Sequence, residues 1–123
     1  MTRLSVTLYG IPNCDTVKKA RAWLAAREVE VRFHDFRKHG VPTDRLAGWI
    51  AAVGWERVLN RQGSTWRQLD AATRASVVDS PSAAALLARQ PSAIKRPVVE
   101  WGRGEPAITV GFAADDWQRR LRP

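Results

Sequence analysis

Cysteine is nearly absent from this chain of 123 residues: there is one, Cys14. A lone cysteine excludes an internal disulfide, so packing alone must hold the fold, and the reducing cytoplasm is the expected compartment. Acidic residues are also scarce, 12 against 20 basic ones, which leaves a net charge of +8. No apolar run approaches the ~20 residues a membrane-spanning helix needs. The first residues, Met1 to Val6, lead directly into a strand-like pattern and lack the apolar core and cleavage site of a secretory signal. No repeat, low-complexity tract or linker divides the chain, so one domain over residues 1–123 is expected.

What is present is ordinary globular material, 45% hydrophobic and 26% charged. A chain of this length buries roughly two-thirds of its unfolded surface, enough for an unstapled core. Sixteen of the 20 basic residues are arginine, scattered with no more than two adjacent. Two readings of this charge compete, an anionic partner (nucleic acid, an oxyanion or a carboxylate-rich small molecule) and composition alone, and the scatter weighs toward composition. With no recognition motif present, nucleic acid is not an expected partner.

Val6 to Gly10 reads as a strand buried on both faces. Asn13 is expected to cap a helix starting at Cys14, its apolar face carried by Val17, Ala20, Trp23 and Leu24. Val29 to Phe36 reads as a second strand. Strand, helix and strand within about thirty residues form a βαβ unit with parallel strands. Thr43 or Asp44 is expected to cap a helix ending at Gly54, followed by a short helical turn at Trp55 to Leu59. Asn60 to Thr65 reads as a polar loop, and Trp66 to Val78 as holding at least one more short helix. Ser80-Pro81 opens a helix that Gln90-Pro91 ends. Arg96 to Trp101 and Ala107 to Gly111 read as strands of an antiparallel hairpin, turned at Gly102 to Glu105. Ala113 to Leu121 closes the chain as a helix with Trp117 facing inward. The fold class is therefore α/β. A four-stranded mixed sheet is expected, with a helical subdomain at about residues 42–92 inserted between a βαβ part and a ββα part.

Cys14 falls where the first strand gives way to the first helix. There a thiolate meets the unpaired N–H groups and partial positive charge of the helix start, which lower its pKa from the usual ~8.5. Lys18, one turn on, is expected to add to this. In a thioredoxin-like fold, Pro97 takes the place of a cis bond beside the reactive thiol. Arg96 would then reach Cys14 and hold an anion or carboxylate bidentately. His34 and His39 lack the spacing and the additional ligands of a metal centre, so none is expected. The six tryptophans are placed in packing roles, except Trp66, expected in a polar loop near Arg61 and Arg67 where it lines the cleft.

The segment Leu8-Tyr9-Gly10-Ile11-Pro12-Asn13-Cys14-Asp15-Thr16-Val17-Lys18-Lys19-Ala20 closely resembles the active-site segment of the arsenate-reductase-like (ArsC/Spx) family, in its YffB branch. Phe33-His34-Asp35-Phe36, Gly54-Trp55, Leu59-Asn60-Arg61, Thr65-Trp66-Arg67 and Ile94-Lys95-Arg96-Pro97 share the likeness, which covers residues 5–121. The resemblance implies a thioredoxin-like fold and a glutathione-dependent thiol–disulfide reductase. Cys14 would be its catalytic residue, and Pro12, Asn13, Asp15, Lys18, Arg61, Lys95, Arg96 and Pro97 would contact the substrate or glutathione. No bound cofactor is implied; glutathione is a co-substrate, and the second thiol must come from outside the chain.

The pattern departs from that of the arsenate enzymes. Gly10 stands where they keep a histidine. Of their three arginines only the Arg-Pro one is matched, by Arg96; Asn60, with Arg61 adjacent, and Gly111 or Phe112 stand at the other two places. Arsenate reduction is therefore not expected. The Spx branch, also similar, acts by contacting RNA polymerase and often carries a Cys-x-x-Cys switch. Ile11 and Val17 replace the second cysteine here, which leaves a redox-independent protein partner as the alternative function.

Overall fold

The computed structural model describes residues 4–104 and 107–122. In chain order its elements are β1 (Ser5–Gly10), α1 (Asp15–Ala26), β2 (Glu30–Asp35), α2 (Phe36–His39), α3 (Thr43–Val53), α4 (Trp55–Val58), α5 (Ser64–Gln68), α6 (Ala71–Ala75), α7 (Ser80–Arg89), a 3₁₀ turn (Pro91–Ala93), β3 (Val98–Glu100), β4 (Ile108–Val110) and α8 (Ala114–Arg120). They fall into two compact units, one built from the chain up to His39 together with the chain from Arg96, the other from residues 40–95. Among the described residues no helix is long and apolar enough to cross a membrane.

The first unit holds the thioredoxin-like sheet, in the order β2-β1-β3-β4. β1 runs parallel to β2, with Leu8 opposite Phe33, and antiparallel to β3, with Leu8 opposite Val99. β3 and β4 form the antiparallel hairpin. Gly102 and Gly104 take positive φ in its turn, and the Trp101 N–H donates to the Ala107 carbonyl at 2.8 Å. Glu105, expected in this turn, lies outside the described residues, as do Met1, Thr2 and Arg3. The core gathers Val6, Leu8, Val17, Ala20, Leu24, Val29, Val99, Trp101 and Trp117. The apolar stripe of α1 and the inward face of α8 supply the helical side of this layer, as their periodicity requires. Trp117 is the hub of an edge-to-face aromatic cluster, its ring 4.8 Å from Phe112, 5.2 Å from Trp101 and 5.8 Å from Trp23.

β2 stops one residue earlier than the pattern predicts. The Asp35 carboxylate accepts the Arg37 N–H at 2.8 Å, an Asx turn that folds Phe36 into α2. The side chain of Phe36 is buried all the same, which is why its hydrophobicity reads as part of the strand.

The second unit is helical. Leu46, Trp49, Ile50, Val58, Leu86, Leu87 and Ile94 form its interior. The expected cap at Thr43 or Asp44 is corrected to Pro42, whose carbonyl accepts the Leu46 N–H at 2.9 Å. Gly54, at φ +91°, ends α3 and starts α4; the left-handed region makes glycine the residue for this corner. The loop expected to reach Thr65 is shorter, because α5 begins at Ser64 and takes in Trp66. The cap of α7 is Asp79, which accepts the Ser82 N–H at 3.0 Å while Ser82 Oγ accepts the Asp79 N–H at 3.1 Å, a reciprocal pair that satisfies two otherwise unpaired donors.

Candidate functional site

Cys14, not Asn13, is the N-cap of α1. It takes extended backbone angles, φ −102° and ψ 124°, and its carbonyl accepts the Lys18 N–H at 2.9 Å. Pro12 and Asn13 form the exposed turn ahead of it, and Asp15 is the first helical residue, also exposed. The neutral Cys14 side chain makes no capping hydrogen bond; as a thiolate it has the helix start before it. Burial pushes the thiol up. The Val17 N–H, a hydrogen bond and the positive charge from the Arg96 guanidinium, and the Thr16 N–H together outweigh burial and hold it below its ordinary range.

Arg96 reaches the thiol from the other end of the chain. It precedes β3, and the Arg96–Pro97 peptide bond is cis. Pro97 is buried, and its carbonyl accepts the Gly111 N–H at 2.9 Å. Pairing of β1 with β3 places this segment beside the β1–α1 turn.

Lys18 was expected beside the thiol. It is exposed and lines a groove with Arg21, Ala22 and Ala25 on the β2 side of α1, and it is not among the groups that shift Cys14. Arg61 and Lys95 belong to the helical unit. There the Lys95 N–H donates to the Val58 carbonyl at 2.8 Å and Leu59 bridges Ile94, while the Arg61 guanidinium lies 5.2 Å from the Trp55 ring centre. Trp66 is half-buried on α5 rather than in a loop. The first unit therefore brings together Pro12, Asn13, Cys14, Asp15, Arg96 and Pro97. His34 and His39 do approach, ring centres 5.6 Å apart, but the described residues hold no group of three or more metal-ligating side chains.

Sequence reasoning missed the packing role of Gly10. A Cβ there would stand 2.8 Å from Cγ2 of Val17, a fully buried side chain whose N–H faces the thiolate. The only signal was the glycine itself, the last residue of a strand otherwise rich in side chains. Gly10→Ala should destabilise the protein by about 1–3 kcal/mol, the usual cost of overpacking, and raise the Cys14 pKa by displacing Val17. Thermal melts and thiol titration measure both effects. Adding Val17→Ala should restore part of the loss, and a fully additive double variant would refute the clash.

A model of the ArsC family matches residues 9–120. The chain belongs to the ArsC family. This family includes oxidoreductases. The solved structure of the YffB protein superposes with a TM-score of 0.87 at 45% identity, covering 95% of this chain and 99% of that one. An uncharacterized protein of Haemophilus influenzae is 42% identical over 113 residues, 92% of this chain and 96% of its own length. The global transcriptional regulator Spx of Streptococcus pyogenes serotype M3 is 27% identical over 114 residues, 90% of this chain and 81% of its own length. The fold is thus the arsenate-reductase-like, thioredoxin-like one shared with Spx and YffB relatives.

Proposed function

We propose that this ArsC-family protein is a glutathione-dependent thiol–disulfide reductase of the reducing cytoplasm, working through a single thiolate. The observation that carries the reading is Cys14 at the start of α1, with Arg96 donating to it and its pKa held down. The Cys14 thiolate attacks the glutathione sulfur of a mixed disulfide between substrate and glutathione. A Cys14–glutathione disulfide forms, and the substrate leaves as a thiolate that takes a proton from water. The chain has no second cysteine, so the thiolate of a free glutathione attacks the mixed disulfide. Oxidised glutathione leaves and the Cys14 thiolate is restored, one substrate–glutathione disulfide being reduced for each free glutathione consumed. Arg96 is positioned to hold a carboxylate of glutathione and to stabilise the thiolate both as attacker and as leaving group. Arsenate reduction is not proposed, because Gly10 stands where the arsenate enzymes keep a histidine and only one of their three arginines is matched, by Arg96.

The test is intact mass after mixing with oxidised glutathione across pH. One adduct is expected, formed with a midpoint below that of an ordinary thiol and released by free glutathione. Adduct formation that follows an ordinary thiol, or none, overturns the reading. The Spx relatives support a second reading, a regulator that contacts RNA polymerase independently of redox state. It predicts that Cys14→Ser leaves the cellular effect of the protein intact, whereas the reductase reading predicts its loss.

A further inference from the structure

We propose that the groove between α1 and the edge strand β2 docks an extended acidic segment of a partner protein by strand addition. β2 ends the sheet and, among the described residues, is bordered by β1 alone. The Glu30 N–H donates to the Leu4 carbonyl at 2.9 Å, so it points toward β1. Backbone direction alternates along a strand, so Val31 and Phe33 turn their N–H and C=O groups outward from the sheet. An edge of this kind is a template for another chain. β2 carries neither proline nor glycine to blunt it.

The side chains of the same two residues lie on the α1 face, half-buried against the core. Beside them runs an open groove of about 500 Å³ lined by Lys18, Arg21, Ala22, Ala25, Val29 and Val31. Its chemistry is graded. Arg21 sits over the Phe33 ring at 4.1 Å, so the basic pair marks the end of the groove nearer Phe33. Ala22 and Ala25 leave room for an apolar side chain toward Val29. None of the six lining residues is acidic. An added strand projects every second side chain into the groove, about 7 Å apart. The fitting motif is therefore an apolar residue and an acidic residue separated by one position, the acid meeting Lys18 and Arg21. The positive charge of the chain, +8, favours the approach of such a segment.

The probe is a capped eight-residue peptide that repeats threonine–valine–threonine–glutamate twice, so that valine and glutamate alternate on one face, titrated into the ¹⁵N-labelled protein at low salt. Saturable shifts in α1 and β2 are expected, with exchange of the Val31 and Phe33 amides slowed at least tenfold. Arg21→Glu should weaken binding at least tenfold, and the same peptide with lysine in place of glutamate should not bind. Absence of binding overturns the proposal. So does binding that leaves Val31 and Phe33 exchange unchanged, or an oligonucleotide of equal charge that gives the same protection, since either would reduce the groove to a general basic surface. Cys14→Ser should bind the peptide as the wild type does, which separates this surface from the thiol chemistry.

Discussion

Cys14→Ser is expected to abolish the glutathione adduct, and Arg96→Ala to slow its formation near neutral pH by about tenfold. The first follows from the absence of any other thiol. The second follows from what Arg96 does: its hydrogen bond and its charge both favour the thiolate over the thiol. A hydrogen bond to a charged group contributes about 1.5 kcal/mol at the low end of its range, and that energy corresponds to about a tenfold change. Without it the Cys14 pKa rises, so a smaller share of the protein is thiolate at pH 7, and the pH–rate profile moves to higher pH. At pH well above the ordinary thiol range both proteins are ionised, so the pKa part of the loss should vanish and only the part due to the lost grip on the glutathione carboxylate should remain. A gap that narrows as pH rises separates a pKa effect from damage to the fold, which would keep the ratio constant at all pH. An Arg96→Ala profile that overlays the wild type would show that the guanidinium does not act on the thiol.

The same depressed pKa has a signature in stability. Unfolding returns Cys14 to the ordinary thiol value, so the unfolded chain binds more protons than the folded one between the two pKa values. Stability from this group is fully present above the unfolded pKa and is lost as pH falls through the folded one. Urea unfolding of wild type against Cys14→Ser should therefore show a difference that grows with pH across that window and levels off above it.

Trp117→Ala is expected to cost about 3–5 kcal/mol, as large aromatic truncations in cores do. The side chain has no exposed surface and is in ring contact with Phe112, Trp101 and Trp23, so three neighbours lose a packing partner at once. Such a loss is a large part of the ~5–15 kcal/mol that holds a domain of ordinary stability, and the melting temperature should fall by more than ~10 °C. Trp117→Phe should be far milder. Among the described residues the buried Nε1 of Trp117 has no hydrogen-bond partner, so phenylalanine sacrifices volume but no polar contact. Trp101→Phe is the counter-case, because Trp101 Nε1 donates to Thr109 Oγ1 at 2.9 Å and its loss strands a hydroxyl. If Trp117→Phe destabilised as much as Trp117→Ala, the cluster would not owe its stability to packing.

Several elements and one reactive group were legible in the chain itself. The apolar spacing of Val17, Ala20 and Leu24 specifies α1, and the parallel pairing of β1 with β2 follows from the strand–helix–strand order. Trp117 reads as inward from its place in a short amphipathic stretch. The likeness around Cys14 was carried by contiguous residues, so it needed no tertiary information. Errors arose where two signals compete within a few residues. Asn13 is the better capping side chain, yet Cys14 takes the extended angles and the cap. Phe36 has strand-like hydrophobicity, yet the Asp35 carboxylate turns the chain first.

What the sequence by itself determined is local: helix faces, strand alternation and the place of a lone thiol at a helix start, all set by interactions a few residues apart. Only the tertiary structure decided what surrounds that thiol. An X-Pro bond is open to both isomers, and the fold selected cis at Arg96–Pro97. Registry of β1 with β3 then brought Arg96 to Cys14, and the close passage of α1 over β1 closed the space at Gly10. These depend on how whole faces pack against one another, and a contact between distant segments leaves no periodicity in the chain from which to read it.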